Sequence, residues 1–537
     1  MTAFFLQGYD GSDGQTVYWT WTDPSGRDHL WIQQRAAVDA AITELRAALP
    51  WEDPTLAQLD VTELNDQLAA ADLPAPLVQR LGNLGEGPGR WQQDARMVLT
   101  FARVATGAMS DPATEHALAL RLGQALVPPD LVEALRAEAA RGIPGEGGTP
   151  RLTVLPARSC STVPWGWLGT DSSSDERLVE LADVVTMGPA LHRDGRAAVP
   201  HPAWSAHCDL PPLYVVDPSG PGIMSVLRCD AGVDQVRLWQ SVIDAAGHTA
   251  VFAGADRLPG LVQSTAATRT WLAGELLGRS AVLFVGHVVA APVPVQHAGD
   301  SGAGRVGLLL APPLGERTPD TLTASDIVSS LIAPPTPAPG VDALPSSYAA
   351  SARHTAESRL AGDATLATDA VLTPDAEPAA DAPSPESAPA SSPAGSPPSR
   401  GYAASPDRPW RWPPRVGLVA CQSGSDLSFA EPFGLVTAIL EAGAELVIAT
   451  LWPLFTDTMF ALASGRPVDT FTPTPLFDLS LKTRDVLSSH TPIEDFSRWQ
   501  RQRLVLWRAE PSLTTSPVTW AAATVHYAPD RTPRPTG

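Results

Sequence analysis

An α/β fold with a mostly parallel sheet covered by helices on both faces is what the chain predicts, and three observations predict it. From Arg151 onward, short apolar runs alternate with helical patterns, at 152–155, 213–216, 248–253, 281–285, 415–420 and 446–450. Before them stand a period-two segment and a long helical stretch. A polar, proline-rich segment at 334–412 interrupts the pattern.

At 16–22 the run TVYWTWT places every second residue on one face, and a second strand-like run follows at 29–33, so a hairpin is expected. Val38, Ala41, Ile42, Leu45 and Leu49 recur at helical spacing and predict an amphipathic helix over 34–48. Residues 50–142 read as mainly helical. The 334–412 segment is dominated by Ala, Pro, Ser, Thr and Asp, with few aromatic or β-branched residues before the PWRW near its end. It cannot bury enough apolar surface to offset the entropy of ordering and is read as disordered. Thr323 and Asp326 have the spacing of a capping box at a helix start. The expected division is therefore 1–142, 143–333, 334–412, 413–528 and a flexible tail at 529–537.

Composition narrows the function classes. The chain has 537 residues with 44% apolar content, enough for a substantial core. Its formal net charge of −21 disfavours a polyanionic partner, since no clustered basic face accompanies it. Four cysteines, at 160, 208, 229 and 421, have neither CxxC spacing nor the density of a disulfide scaffold, and are read as free thiols in a reducing compartment. The opening lacks a basic n-region, and no run reaches the roughly eighteen charge-free apolar residues of a membrane span. A cytoplasmic location is expected, with no nucleic acid as direct ligand. The preference for Ala, Pro and Arg over Lys suits a high-GC bacterial source.

Two apolar strands end in reactive side chains: 281–285 leads into Gly286-His287, and 416–420 into Cys421-Gln422-Ser423-Gly424. In an open parallel sheet, groups beyond the carboxyl ends of adjacent strands come together although distant in sequence. A nearby imidazole raises the ionised fraction of a thiol and then donates a proton to a leaving amine. Backbone N–H groups of Cys421 and Val288 are candidates for an oxyanion hole. Cys160, Cys208 and Cys229 read as packing residues, and His297 as a weaker base than His287.

The run LVACQSG, followed by GLVTAILEAGAELVIATLWP, resembles the signature of the CHAT family, bacterial relatives of caspases and separases. LFVGH resembles that family's histidine strand, LTASDIVSSL its following helix, PWGWL the turn after its first core strand, and SPVTWAAATVHYA its closing strand. The resemblance implies a caspase-like fold and a cysteine endopeptidase with Cys421 as nucleophile and His287 as general base. It implies a protein substrate and an activating protein partner, in a bacterial defence or regulatory system, and no metal or organic cofactor.

The sequence departs from the family at three places. Val288 replaces the usual glycine, which restricts φ and narrows the approach to the site. After LWP a single acid, Asp457, stands where a pair is usual. The third departure is the length of the insertion. Trp452, Asp457 and Glu431 are candidates for lining a substrate pocket, against core-aromatic, helix-terminal and exposed-loop readings respectively; exposed loop charge is also the commoner explanation of Asp426. Two rival functions share these residues: a catalytically silent scaffold or interaction module, and a hydrolase of small amides or esters.

Overall fold

The computed structural model describes residues 2–50, 54–71, 73, 88–141, 149–187, 203–216, 218, 251–253, 267–290, 306–311, 320–332, 410–420, 434–463 and 475–528. The chain divides into a main unit, Met1–Ala333 with Ala404–Gly537, and a second, Pro334–Ala403, which lies outside the described residues.

The period-two run at 16–22 forms strand β2 (Thr16–Thr22), paired antiparallel with β3 (Asp28–Gln34), as the sequence predicts. Its inward residues Val17, Trp19 and Trp21 are buried. A strand the sequence reading missed, β1 (Ala3–Asp10), lies on the other side of β2, and it runs parallel to β4 (Arg151–Leu155). The opening FFLQ is thus interior to the sheet. The helix expected at 34–48 forms at Arg35–Ala48 with Val38, Ala41, Ile42 and Leu45 buried.

The remaining strands are β5 (Asp183–Met187), β6 (Leu213–Val216), β7 (Val251–Ala253), β8 (Ala281–Gly286), β9 (Val288–Ala290), β10 (Val306–Leu310), β11 (Asp320–Thr323), β12 (Arg415–Ala420), β13 (Leu446–Thr450) and β14 (Ala523–Tyr527). Eleven of the strands form one sheet in the order β3-β2-β1-β4-β5-β14-β13-β12-β8-β6-β7, while β11-β10-β9 form a small second sheet. Within the large sheet, β1-β4-β5-β14 are mutually parallel and so are β13-β12-β8-β6-β7; the two blocks meet at the antiparallel pair β13–β14.

β4 and β5 belong to the block that contains the N-terminal hairpin, so the PWGWL turn at 164–168 lies outside the block of the histidine strand, which begins with β6 at Leu213. Leu322 also falls in β11; the helix predicted there starts at Ala324 and ends at Ile332. Its capping box is present: Thr323 N–H donates to Asp326 Oδ2 at 2.9 Å and Asp326 N–H to Thr323 Oγ1 at 3.1 Å.

Both faces of the parallel block are covered, which is why its strands read as continuous apolar runs. Leu283, Val285, Val419, Leu446 and Ile448 join a core shared with the Pro475–Leu487 and Pro492–Ala509 helices. Val282, Phe284, Val416, Leu418, Val447 and Ala449 join a second core shared with the Gly434–Glu441 and Ala324–Ile332 helices and β9–β11. Gly417 lets the first of these layers approach, since a Cβ there would stand 2.6 Å from Thr483 Cγ2.

The end of the proline-rich segment is folded, contrary to the 334–412 boundary. Trp410 and Trp412 are buried in the second core, and their backbone N–H groups donate to Ser330 Oγ (2.9 Å) and the Ala442 carbonyl (3.1 Å). The first bond brings the helix before the segment to the chain that enters the amino end of β12. Arg415, the first residue of β12, lies 3.7 Å over the Trp204 ring. It also donates to the Leu487 carbonyl at 3.0 Å.

Candidate active site

His287 follows the last residue of β8, and the residue before Cys421 is the last of β12. These two strands are adjacent and parallel, in register from Arg415↔Ala281 to Ala420↔Gly286. Their next residues are His287 and Cys421. Cys421 itself lies outside the described residues, as do Glu431, Asp426, Cys229 and His297.

Strand order marks the same edge of the sheet. From β6 the chain steps outward to β7, whereas from β8 it proceeds to β12 and β13 on the other side. In open α/β sheets, ligands usually bind beyond the carboxyl ends of strands whose connections diverge in this way, here β6 and β8. His287, half-buried, stands at that edge. Its backbone is held by Leu309 N–H, which donates to the His287 carbonyl at 2.9 Å.

Gly286 sets the line of approach to His287. A Cβ at this position would lie 2.9 Å from Phe284 Cζ and 3.1 Å from Pro218 Cδ. The Phe284 ring is fully buried and has little room to yield. Gly286→Ala is therefore expected to destabilise the fold by about 1–3 kcal/mol, read as a lowered urea midpoint. An unchanged midpoint would show that the Phe284–Pro218 contact relaxes freely.

The sequence reading has Val288 narrow the approach to the site, whereas its side chain is packed in the second core. The residue is 1% exposed and packs in the second core, where the cross-strand partners Val288, Leu308 and Leu322 form one apolar rung. The Leu309-to-His287 bond makes Val288↔Leu308 a non-hydrogen-bonded pair of the antiparallel ladder. The Val288 N–H is consequently directed away from β10.

Two of the suggested pocket residues have structural employment. Trp452 is fully buried and its indole N–H donates to the Val518 carbonyl at 2.8 Å, which makes it a core aromatic rather than a pocket wall. Asp457, also fully buried, accepts the backbone N–H groups of Leu476 (2.9 Å) and Phe477 (3.1 Å). Its carboxylate satisfies the first turn of the Pro475–Leu487 helix, across nineteen residues of chain, instead of facing a substrate. The sequence placed it at the start of its own helix, and only the packing of that helix against the next one reveals the cap.

Of the remaining thiols, Cys160 fits its packing role. Cys160 is buried, and burial pushes its thiol up to about 12, far from a reactive thiolate. Cys208 is half-exposed. Sequence reasoning overlooked Thr450, the last residue of β13, whose Oγ1 donates to the carbonyl of Ala420, the residue before Cys421, at 3.5 Å. The ATLWP run held that residue in view without a signal to distinguish it. Among the described residues there is no group of His, Cys, Asp and Glu suited to a metal ion, and no helix long and apolar enough to cross a membrane.

No family model matches the chain. No curated protein matches it either. Among solved structures the chain is similar to chains in two crystal structures of the Saccharomyces cerevisiae separase–securin complex, at 9% identity and TM-scores of 0.37 and 0.34. In both cases the match covers 98% of this chain and 30% of the other, so the chain spans about a third of the length of those solved chains.

Proposed function

We propose that the chain is a caspase-like cysteine endopeptidase in which Cys421 is the nucleophile and His287 the general base. The observation that carries this reading is the register of β12 on β8, which pairs Ala420 with Gly286 and so ends the two strands level with each other. Neighbouring strands run about 4.8 Å apart, and consecutive Cα atoms about 3.8 Å, so a residue one step beyond each end is within dyad range of the other.

In the proposed reaction the imidazole of His287 takes the thiol proton and Cys421 Sγ attacks the scissile carbonyl carbon. The oxyanion accepts hydrogen bonds from the backbone N–H groups of Val288 and Cys421. The imidazolium then protonates the leaving amine as the C–N bond breaks, leaving a thioester that water hydrolyses with His287 again as base. By the family resemblance the substrate is a protein, and an activating protein partner regulates the enzyme in a bacterial defence or regulatory system in the cytoplasm. The scaffold alternative draws on Asp457, whose carboxylate is committed to a helix start and not to substrate.

Iodoacetamide labelling separates the two. Cys421 is expected to react roughly tenfold or more faster than Cys160, Cys208 and Cys229 below pH 7, because a paired imidazole holds it as thiolate. His287→Ala is expected to remove that advantage. A Cys421 that reacts no faster than the other three, with and without candidate protein partners, establishes the scaffold reading.

A further inference from the structure

Among the described residues, the strand that begins one residue after His287 has an open edge. Among the described residues β9 pairs with β10 alone and ends the small sheet. Val288↔Leu308 and Val306↔Ala290 are two positions apart, so they share the non-hydrogen-bonded type fixed by the Leu309-to-His287 bond. The N–H and C=O groups of Val288 and Ala290 therefore point away from β10, at the spacing of an extended chain. The backing is firm: the Val288–Leu308–Leu322 rung is buried, and β11 leads directly into the Thr323–Asp326 cap, with Asp326 held by Arg269 at 2.9 Å.

We propose that this edge of β9 binds the substrate main chain, adding to the small sheet a strand of extended polypeptide that adjoins the scissile bond. The inference rests on the dyad reading for the location of that bond. Its occupant is a peptide backbone because an open edge offers alternating donors and acceptors to a partner with the same repeat, which is how strand addition recognises chains independently of their side chains. The edge also starts at Val288, whose N–H is the proposed oxyanion donor, so a chain paired along β9 brings its carbonyl to the dyad. A small amide or ester makes no use of Ala290. The site thereby selects unfolded or looped segments over compact ligands.

The test compares reagents that differ only in attached peptide. The full chain is treated with pooled hexapeptidyl chloromethyl ketones, with pooled bromoacetyl hexapeptides, and with iodoacetamide and bromoacetamide, and the rate at Cys421 is followed by mass spectrometry. One peptide pool is expected to label Cys421 roughly tenfold or more faster than the small reagents, the two pools distinguishing which side of the scissile bond lies on β9. N-methylation of alternate amides in that pool is expected to return the ratio to about one, and Ala290→Pro, which removes an N–H outside the ladder, to do the same. A ratio of one for both pools, or a raised ratio that survives both N-methylation and Ala290→Pro, overturns the proposal. The iodoacetamide rate reports the dyad separately: a slow Cys421 with a raised, N-methyl-sensitive ratio removes the dyad and keeps the edge, whereas a fast Cys421 with a ratio of one removes only the edge.

Discussion

Glu115→Ala is expected to destabilise the chain by about 3–5 kcal/mol, the cost of stripping one partner from a buried ion pair. Glu115 and Arg177 are each only 2% exposed in their side chains and meet at 2.8 Å. The same carboxylate accepts the indole N–H of Trp507 at 3.2 Å and that of Trp167. Arg177 also reaches His116 Nδ1 at 2.7 Å and the Asp175 carbonyl at 3.0 Å. Alanine would leave two indole donors buried with no acceptor and a buried guanidinium without its carboxylate partner. Burial already pulls the Arg177 guanidinium below its ordinary value, and Glu115 is the largest influence opposing that. Because the four residues come from the Pro112–Leu126 helix, the PWGWL turn, the segment before Leu178 and the Pro492–Ala509 helix, the loss would loosen the N-terminal and C-terminal regions together.

Urea unfolding of three forms checks this. Glu115→Gln keeps one acceptor and most of the shape, and its cost is expected to be smaller, about 1–3 kcal/mol. Replacing both Glu115 and Arg177 by methionine is expected to recover most of the stability lost by Glu115→Ala, since apolar packing often replaces a buried pair at little net cost. If Glu115→Ala shifts the urea midpoint no more than a surface substitution does, the network is not a keystone of the fold.

Acid is the second expected weakness. His526, on β14 between Val447 of β13 and Thr186 of β5, is fully buried, and burial pushes its imidazole down to about 3. Above pH 6.5 the imidazole is neutral in both folded and unfolded chains and contributes nothing to the pH dependence. Below pH 6.5 the unfolded chain takes up a proton that the folded chain refuses, so stability falls by up to about 1.4 kcal/mol per pH unit. The accumulated loss approaches about 5 kcal/mol as pH nears the folded value. His526→Leu removes the titrating group while keeping an apolar fill. The stability difference between variant and wild type is therefore expected to shift in favour of the variant as pH falls from 6.5 toward 4, and a difference that stays flat across that range would show that His526 is protonated in the folded chain.

How far the sequence carries the argument differs between strands and site. The parallel block was legible because strands buried on both faces have no choice but to be continuously apolar, as 281–285, 415–420 and 446–450 are. β1 was missed because FFLQGYD carries a weaker alternation than TVYWTWT, and its place depends on pairing with Arg151–Leu155, far along the chain. β5 and the small sheet are short strands fixed by their neighbours. Trp410 and Trp412 were assigned to the proline-rich segment because local composition cannot report that Ser330 and Ala442 wait for them across long sequence separations.

The amino-acid sequence by itself determined that two apolar runs lead into His287 and Cys421, since that follows from residue order. It determined the capping box at Thr323, which is local. Only tertiary structure decided that β8 and β12 are neighbours in register, that the N-terminal hairpin joins the sheet through β1, β4 and β14, and that Asp457 and Trp452 are used by the core. The physical reason is distance along the chain: hydrogen-bond pairing and burial are settled between segments well separated in sequence, from nineteen residues for Asp457 and Leu476 to more than a hundred for β8 and β12, where no periodicity in either segment names its partner.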